Sequence, residues 1–119
     1  MRSQVRFVQL TEKNFKDEVL TNPEPVLVEV RAEWSGTCQI MAPIIEKLAW
    51  EFSGYIKVGK LDIETNREVL RQYGLDELPS YLFFNNGELV DRIVGAVSKK
   101  ILTLRLKNLI NIKKNRRIL

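Results

Sequence analysis

The sequence contains no histidine and only one cysteine, Cys38. Without histidine there can be no Ser-His-Asp triad, no Cys-His nucleophile pair and no ordinary zinc site. A single thiol also excludes an internal disulfide bond. These absences remove most classes of hydrolase, cysteine protease and zinc enzyme, and we expect the protein to bind neither a metal nor a cofactor.

Long apolar runs are missing as well. No stretch of 18 or more apolar residues occurs, so the sequence predicts no transmembrane helix and no membrane partner. The first ten residues alternate charged and apolar side chains and lack the apolar stretch of a signal peptide. We therefore expect a cytoplasmic location, where thiols are kept reduced. The 119 residues, 45% of them hydrophobic, predict a single domain spanning residues 1–119.

Acidic side chains are missing from the last quarter of the chain. Residues 1–91 carry 10 basic and 15 acidic side chains, whereas residues 92–119 carry 9 basic and no acidic ones. A basic segment can bind nucleic acid or an anionic membrane surface, but no aromatic residue interleaves these charges as a single-strand binder requires. We therefore predict no nucleic-acid partner. The cations are interpreted as complementing the negative end of a final helix, with residues 113–119 frayed.

The order of apolar patterns along the chain predicts an α/β fold. Strands are predicted at residues 5–10, 26–30, 56–63, 80–84 and 89–94, and helices at residues 11–20, 38–52, 67–73 and from residue 98 onward. Thr11, Asn66 and Ser98 are predicted helix caps, and Gly74 is predicted to end the third helix. The order β-α-β-α-β-α-β-β-α indicates a central mixed sheet with helices on both faces.

Two short patterns refine this prediction. Asn85-Asn86-Gly87 separates the last two strands and is typical of a tight hairpin, because glycine accepts a positive φ. In the final helix, one apolar stripe should face the sheet, comprising Leu102, Leu106, Leu109 and Ile110. Ile101 and Leu104 lie off that stripe. They predict either an ordinary monomer surface or a site of weak self-association.

The segment Glu33-Trp34-Ser35-Gly36-Thr37-Cys38 follows the apolar strand 26–30 and opens the long helix. With cysteine at position 35 it would be a Cys-x-x-Cys redox turn, in which a thiol at a helix N-terminus ionises readily. A serine hydroxyl stays protonated there and cannot form a disulfide. Ser35 is therefore interpreted as a helix N-cap, worth about 1 kcal/mol relative to alanine.

Four stretches together resemble the thioredoxin family, and the resemblance covers about residues 5–112. They are PVLVEVRAEWSGTC-x-x-MAP at 25–43, KLDIETN at 60–66, YGLDELPSYLFF at 73–84 and NGELVDRIVGA at 86–96. The resemblance implies the thioredoxin fold and thiol-disulfide exchange with protein substrates. The sequence departs from the family at three positions: Ser35 replaces the attacking cysteine, Thr37 the usual proline and Arg31 the usual aromatic residue.

The resemblance also implies roles for particular residues. Cys38 corresponds to the resolving cysteine, although a small buried core residue is an equal interpretation. Glu29 corresponds to the family's buried acid, whose pKa burial should raise, and Lys60 to the lysine near that acid; the two are expected to form either a structural pair or a proton relay. Leu78-Pro79 corresponds to the cis-proline loop, which pairs with extended client peptides. The expected client-binding surface consists of Trp34, Gly36, Thr37, Leu78, Pro79, Gly95 and Ala96.

Three functions remain open at this point. The first is thioredoxin-like chemistry limited to Cys38, including the case of a Cys-x-x-Cys protein whose first cysteine has been replaced by serine. The second is a redox-inactive client-binding or chaperone-like module. The third is an assembly partner joined through the last helix. In each case client proteins or peptides are the expected partners, and Ser35 argues against thioredoxin reductase, because no dithiol is available for that enzyme to reduce.

Overall fold

The computed structural model describes residues 7–118, with side chains described as far as residue 114. Five strands and three α-helices follow one another along the chain, with a short π-helical turn, Lys16–Leu20, after the first strand. The strands are β1 (Val8–Leu10), β2 (Val26–Arg31), β3 (Lys57–Asp62), β4 (Ser80–Asn85) and β5 (Glu88–Val94). The helices are α1 (Gly36–Glu51), α2 (Arg67–Tyr73) and α3 (Lys99–Ile118).

One mixed sheet organises these elements in the order β1-β3-β2-β4-β5. Strands β1, β3 and β2 are parallel, whereas β4 runs antiparallel to both β2 and β5. Strand β2 lies in the middle, which explains why its residues 26–30 are all buried. The predicted α/β class and the mixed sheet are confirmed.

Each face of the sheet supports its own apolar core, so helices cover both sides as predicted. One core joins Leu27, Tyr81 and Phe83 of the sheet to residues of α1 and α3. The other joins Val26, Val28 and Leu82 to the π-helical turn and α2. Side chains alternate between the two faces along a strand. Glu29 therefore lies on the same face as Leu27, beneath α1.

The predicted first helix, residues 11–20, is not a regular α-helix. Thr11 and Asn14 form a reciprocal cap: the Thr11 amide donates to Asn14 Oδ1 at 2.7 Å and the Asn14 amide to Thr11 Oγ1 at 3.1 Å. Beyond it, the Lys16 carbonyl accepts from the amide of Thr21 at 2.8 Å and from its hydroxyl at 3.1 Å. This five-residue spacing widens the turn into a π-helix. Residues 5 and 6 of the first predicted strand lie outside the described residues.

The cap of α2 differs from its prediction. Asn66 occupies the N-cap position, but its side-chain amide donates to the Asp62 carbonyl at 2.8 Å and makes no cap bond. The free amide of Glu68 donates instead to Glu12 Oε2 at 2.8 Å. A carboxylate from a distant segment therefore caps this helix, where the helix dipole favours negative charge. Gly74 ends α2 in the left-handed conformation, as predicted.

The hairpin and the last helix follow their predictions. Asn86 and Gly87 have φ angles of 53° and 80° at the turn between β4 and β5. A Cβ at position 87 would lie 2.0 Å from the Leu20 carbonyl oxygen, so only glycine fits. Ser98 caps α3 by accepting from the Ile101 amide at 3.2 Å.

The two sides of α3 differ in exposure. Leu102, Leu106 and Leu109 are buried against the sheet, whereas Ile101 and Leu104 remain 39% and 50% exposed. The predicted division of the helix is therefore confirmed, and self-association through it stays a prediction. Fraying of residues 113–119 also stays a prediction, because side chains beyond residue 114 lie outside the described part. None of the described helices combines the length and apolar character needed to cross a membrane.

Candidate functional site

The turn between β2 and α1 is held by three hydrogen bonds at Ser35. The Ser35 amide donates to the Ala32 carbonyl at 3.2 Å, Ser35 Oγ accepts from the Cys38 amide at 3.2 Å, and the Ser35 carbonyl accepts from the Gln39 amide at 3.1 Å. Ser35 has an extended backbone with φ −85° and ψ 117°, which is the geometry of an N-cap residue. The predicted cap is thus formed by the same side chain that occupies the position of an attacking thiol.

Cys38 lies beneath this turn and is fully buried, with 0% exposure. Its side chain belongs to the buried stripe of α1, together with Met41, Ile45, Leu48 and Ala49. Two other residues predicted for that stripe, Ile44 and Phe52, are half-buried. The only thiol of the chain is therefore inaccessible to solvent beneath the turn.

Trp34 stands outside the turn and is 65% exposed. Its indole N–H donates to Glu64 Oε2 at 2.7 Å, which fixes the ring beside the segment that follows β3. Sequence reasoning did not single out Glu64, because the contact joins residues 30 positions apart. Gly36 has open space around it, since no atom lies within 4 Å of where a Cβ would stand.

The loop before β4 approaches Trp34 from the other side. The Leu78–Pro79 peptide bond is cis, and the Pro79 carbonyl accepts from the Gly95 amide at 2.7 Å. Pro79 is buried, Leu78 and Gly95 are half-buried, and Ala96 is exposed. Among the described residues, no hydrogen bond involves the backbone amide or carbonyl of Leu78. The loop thus presents unused backbone groups next to an apolar side chain.

A groove of about 350 Å³ lies between Trp34 and Leu78. Its other lining residues are Ile63, Leu70, Leu75, Asp76 and Glu77. The structure therefore brings together two of the residues expected to bind clients. The other five, Gly36, Thr37, Pro79, Gly95 and Ala96, are not part of this lining, although a hydrogen bond joins Gly95 to Pro79 in the loop that contains Leu78.

Glu29 lies in the sheet beneath α1 with 1% exposure, and neither of its carboxylate oxygens has a hydrogen-bond partner among the residues that the structure describes. Burial raises the pKa of this carboxyl, because the charged form loses its hydration. The charges of Lys60 and Arg31 act in the opposite direction. The carboxyl is therefore a poorly solvated acid that retains its proton above the usual pH range.

Lys60 pairs in register with Glu29 but does not form the expected ion pair. Its ammonium lies 3.9 Å from the centroid of the Phe7 ring, in a cation–π contact. The long side chain can reach this partly solvated ring, where the ammonium avoids full burial. The lysine therefore influences Glu29 only through its charge at a distance.

Tyr81 is a polar residue at this site that sequence reasoning missed. It is the register partner of Glu29 on β4, it is fully buried, and its hydroxyl has no hydrogen-bond partner. Burial raises the pKa of the Tyr81 hydroxyl, and negative charge on Glu29 and Cys38 raises it further. The signal in the sequence was a tyrosine within the apolar run Tyr81–Phe84, two positions after Pro79.

Arg31 and Thr37 are the other two positions at which the sequence departs from the family. Arg31 is half-buried at the end of β2, and its carbonyl accepts from the Ile63 amide at 3.0 Å. Thr37 is half-buried in the first turn of α1. Within the part of the chain that the structure describes, no three carboxylate or thiol side chains are grouped closely enough to hold a metal ion.

We predict that Glu29 makes folding stability depend on pH. Since its folded pKa lies above its unfolded value, its unfavourable contribution is absent below the unfolded pKa. It grows as pH rises through the interval up to the folded pKa. Glu29→Gln should therefore raise the urea midpoint more at pH 8 than at pH 5. Glu46→Gln, the same change at an exposed position of α1, is the control and should show no such difference. Equal gains at both pH values for Glu29→Gln would show that its carboxyl is solvated.

Comparison with known proteins agrees with this architecture. A family model described as Thioredoxin matches residues 6–108. The chain is 40% identical over 99 residues to Thioredoxin 1 of a Nostoc species, covering 83% of this chain and 92% of that protein. It is 42% identical over 106 residues to a thioredoxin of Buchnera aphidicola (89% and 94% covered) and 37% identical over 103 residues to one of Porphyra purpurea (87% and 96%). The chain belongs to the thioredoxin family.

Proposed function

We propose that the protein binds extended client polypeptides at the surface formed by Trp34, the Leu78–Pro79 loop, Gly95 and Ala96, and that it does not cycle disulfides through an internal dithiol. The observation that carries this proposal is the combination of an open apolar groove with a capping serine in the turn beside it. The groove keeps what is needed to hold a client. The turn lacks the thiol needed to attack one.

The unused backbone of Leu78 supports the binding part of this proposal. An extended peptide can pair with a free amide and carbonyl as a strand pairs with a sheet edge, while its side chains enter neighbouring pockets. The groove beside Leu78 offers such a pocket, whose apolar lining also includes Trp34, Ile63, Leu70 and Leu75. None of these contacts requires sulfur at position 35.

The hydroxyl of Ser35 supports the second part of the proposal, that the protein does not cycle disulfides through an internal dithiol. Thiol-disulfide exchange needs a thiolate that attacks one sulfur of the client disulfide and a second thiol that resolves the mixed disulfide. Ser35 Oγ stays protonated at neutral pH and already accepts from the Cys38 amide. Even a reactive Cys38 would therefore stop at the mixed disulfide, since no second cysteine exists.

A second candidate function is monothiol chemistry at Cys38. It is favoured by the two unpartnered polar groups beneath α1, the Glu29 carboxyl and the Tyr81 hydroxyl. A Glu29 carboxylate would take the thiol proton, Cys38 sulfur would bond to one sulfur of a client or glutathione disulfide, and the other sulfur would leave as a thiolate. The complete burial of Cys38 opposes this candidate, because the attack requires the turn to open. The main proposal excludes only cycling through a dithiol and leaves a reaction of Cys38 alone open. A redox-inactive chaperone-like module would bind clients in the same groove, and its Cys38 would never react.

We predict that the protein does not accelerate insulin reduction by dithiothreitol above the uncatalysed rate. Ser35→Cys restores an internal dithiol and should produce measurable turnover. Ser35→Ala is the matched control: it should remain inactive and lose about 1 kcal/mol of stability, because it removes the cap. Rapid turnover by the unaltered protein would contradict the proposal. An inactive but folded Ser35→Cys variant would point to Thr37 and Arg31 as further obstacles.

The thiol itself can be tested separately. Because Cys38 is fully buried, iodoacetamide should modify it at least about tenfold more slowly in the folded protein than in the urea-unfolded chain, since each 1.4 kcal/mol of opening energy gives a factor of ten. Mass spectrometry over time measures both rates. Similar rates in the two states would favour monothiol chemistry over the binding module.

A further inference from the structure

The groove beside Trp34 has an acidic rim. Most of its lining residues are apolar, but Asp76 and Glu77, which directly precede Leu78 in the sequence, also line it. Both side chains belong to exposed residues. A groove with this lining presents negative charge to whatever apolar side chain enters it.

The two carboxylates are not neutralised by neighbouring cations. Among the described residues, neither the Asp76 nor the Glu77 carboxylate forms an ion pair or accepts a hydrogen bond; only the backbone carbonyl of Glu77 accepts, from the Ser80 hydroxyl at 2.7 Å. The arginines that flank them most closely on either side in the sequence have other contacts: Arg71 pairs with Glu68 on α2, and Arg92 donates to the Tyr73 carbonyl at 3.3 Å. The charge at the rim is therefore available to a bound partner.

Other acidic groups extend this charge around Trp34. Glu64 accepts from the indole N–H at 2.7 Å, and Glu33 directly precedes the ring in the sequence and is exposed. Glu64 thus adds a carboxylate in direct contact with the aromatic ring that lines the groove.

We propose that the groove selects client segments in which an apolar side chain is flanked by lysine or arginine. The inference rests on the proposed function, because it names the class of polypeptide that the same groove prefers. The apolar side chain enters between Trp34 and Leu78, and the flanking cations approach Asp76 and Glu77. Complementary charge at the rim raises specificity and the association rate more than it raises total affinity.

The size of the effect follows from the exposure of these groups. Exposed ion pairs contribute about 0.2–1 kcal/mol each, so two of them change affinity about two- to thirtyfold at low salt. Screening shortens their reach as salt rises, and the preference fades. Acidic residues flanking the apolar side chain of a client should lower its affinity, because they are repelled by Asp76 and Glu77.

The experiment uses three nine-residue peptides with the same central leucine, flanked by lysine, serine or glutamate. Fluorescence anisotropy of the dye-labelled peptides gives their affinities for the full-length protein at 50 mM and 500 mM salt. At 50 mM salt we expect the lysine peptide to bind about two- to thirtyfold more tightly than the serine peptide, and the glutamate peptide more weakly than either. Asp76→Asn combined with Glu77→Gln should remove this order and leave the serine peptide unaffected.

Asp17→Asn combined with Glu46→Gln removes the same net charge from exposed positions outside the groove and should preserve the order. Trp34→Ala tests the groove itself and should weaken all three peptides. If the serine peptide binds and Trp34→Ala weakens it, but the three affinities are equal, the charge inference is wrong and the proposed function stands. If no peptide binds, the proposed function fails.

A second copy of this chain could also place a segment in the groove. Residues 113–119 read Lys-Lys-Asn-Arg-Arg-Ile-Leu and have the same basic and apolar chemistry. Sedimentation of the protein at 50 mM salt distinguishes the two occupants. Self-association that disappears in the Asp76→Asn/Glu77→Gln variant would assign the groove to another copy and overturn the client assignment. A monomer that binds the lysine peptide supports it.

Discussion

The hydrogen bond from the Cys38 amide to Ser35 Oγ links the fold of this protein to its chemistry. It satisfies an amide at the start of α1 that would otherwise lack a partner, and so determines where that helix begins. The helix in turn lies over the sheet face that holds Glu29 and Tyr81. The side chain that would have to attack a disulfide is therefore used as a structural acceptor.

Surface and interior are separated at this turn. Trp34 and Leu78 form a groove that a polypeptide can reach, while Cys38, Glu29 and Tyr81 lie below it without exposure. In a dithiol protein of this fold, a cysteine at position 35 attacks the client disulfide at the surface. The buried second cysteine then resolves the mixed disulfide, so the thiol at position 35 links the surface to the interior. With serine there, the proposed binding of a client in the groove is not followed by disulfide exchange at position 35. The unpartnered polar groups below then lower stability without serving a complete redox cycle.

Much of the fold could be predicted because its signals are local. Asn86-Gly87 predicts the hairpin by its backbone requirements, Ser35 and Ser98 predict caps within three residues, and the buried run of β2 predicts a central strand. The first helix was predicted in the wrong form, because the hydrogen bonds of Thr21 to Lys16 select a π-helical turn that apolar spacing does not reveal.

The missed features depend on contacts between distant segments. Glu12 caps α2 across 56 positions of sequence, and Lys60 lies over Phe7 rather than beside Glu29. The resemblance to thioredoxins located Trp34 and Leu78 but did not indicate the acidic rim. Asp76 and Glu77 look like ordinary turn residues until the structure places them on the wall of the groove.

We propose that this protein retains a client-binding surface without the attacking thiol. A nuclear magnetic resonance titration of the ¹⁵N-labelled protein with the serine-flanked peptide tests this binding residue by residue. We expect the largest shifts at the Trp34 indole and at the backbone amides of Leu78, Gly95 and Ala96, and we expect Cys38→Ser to leave them unchanged. Shifts centred on α3, or loss of binding in Cys38→Ser, would contradict it.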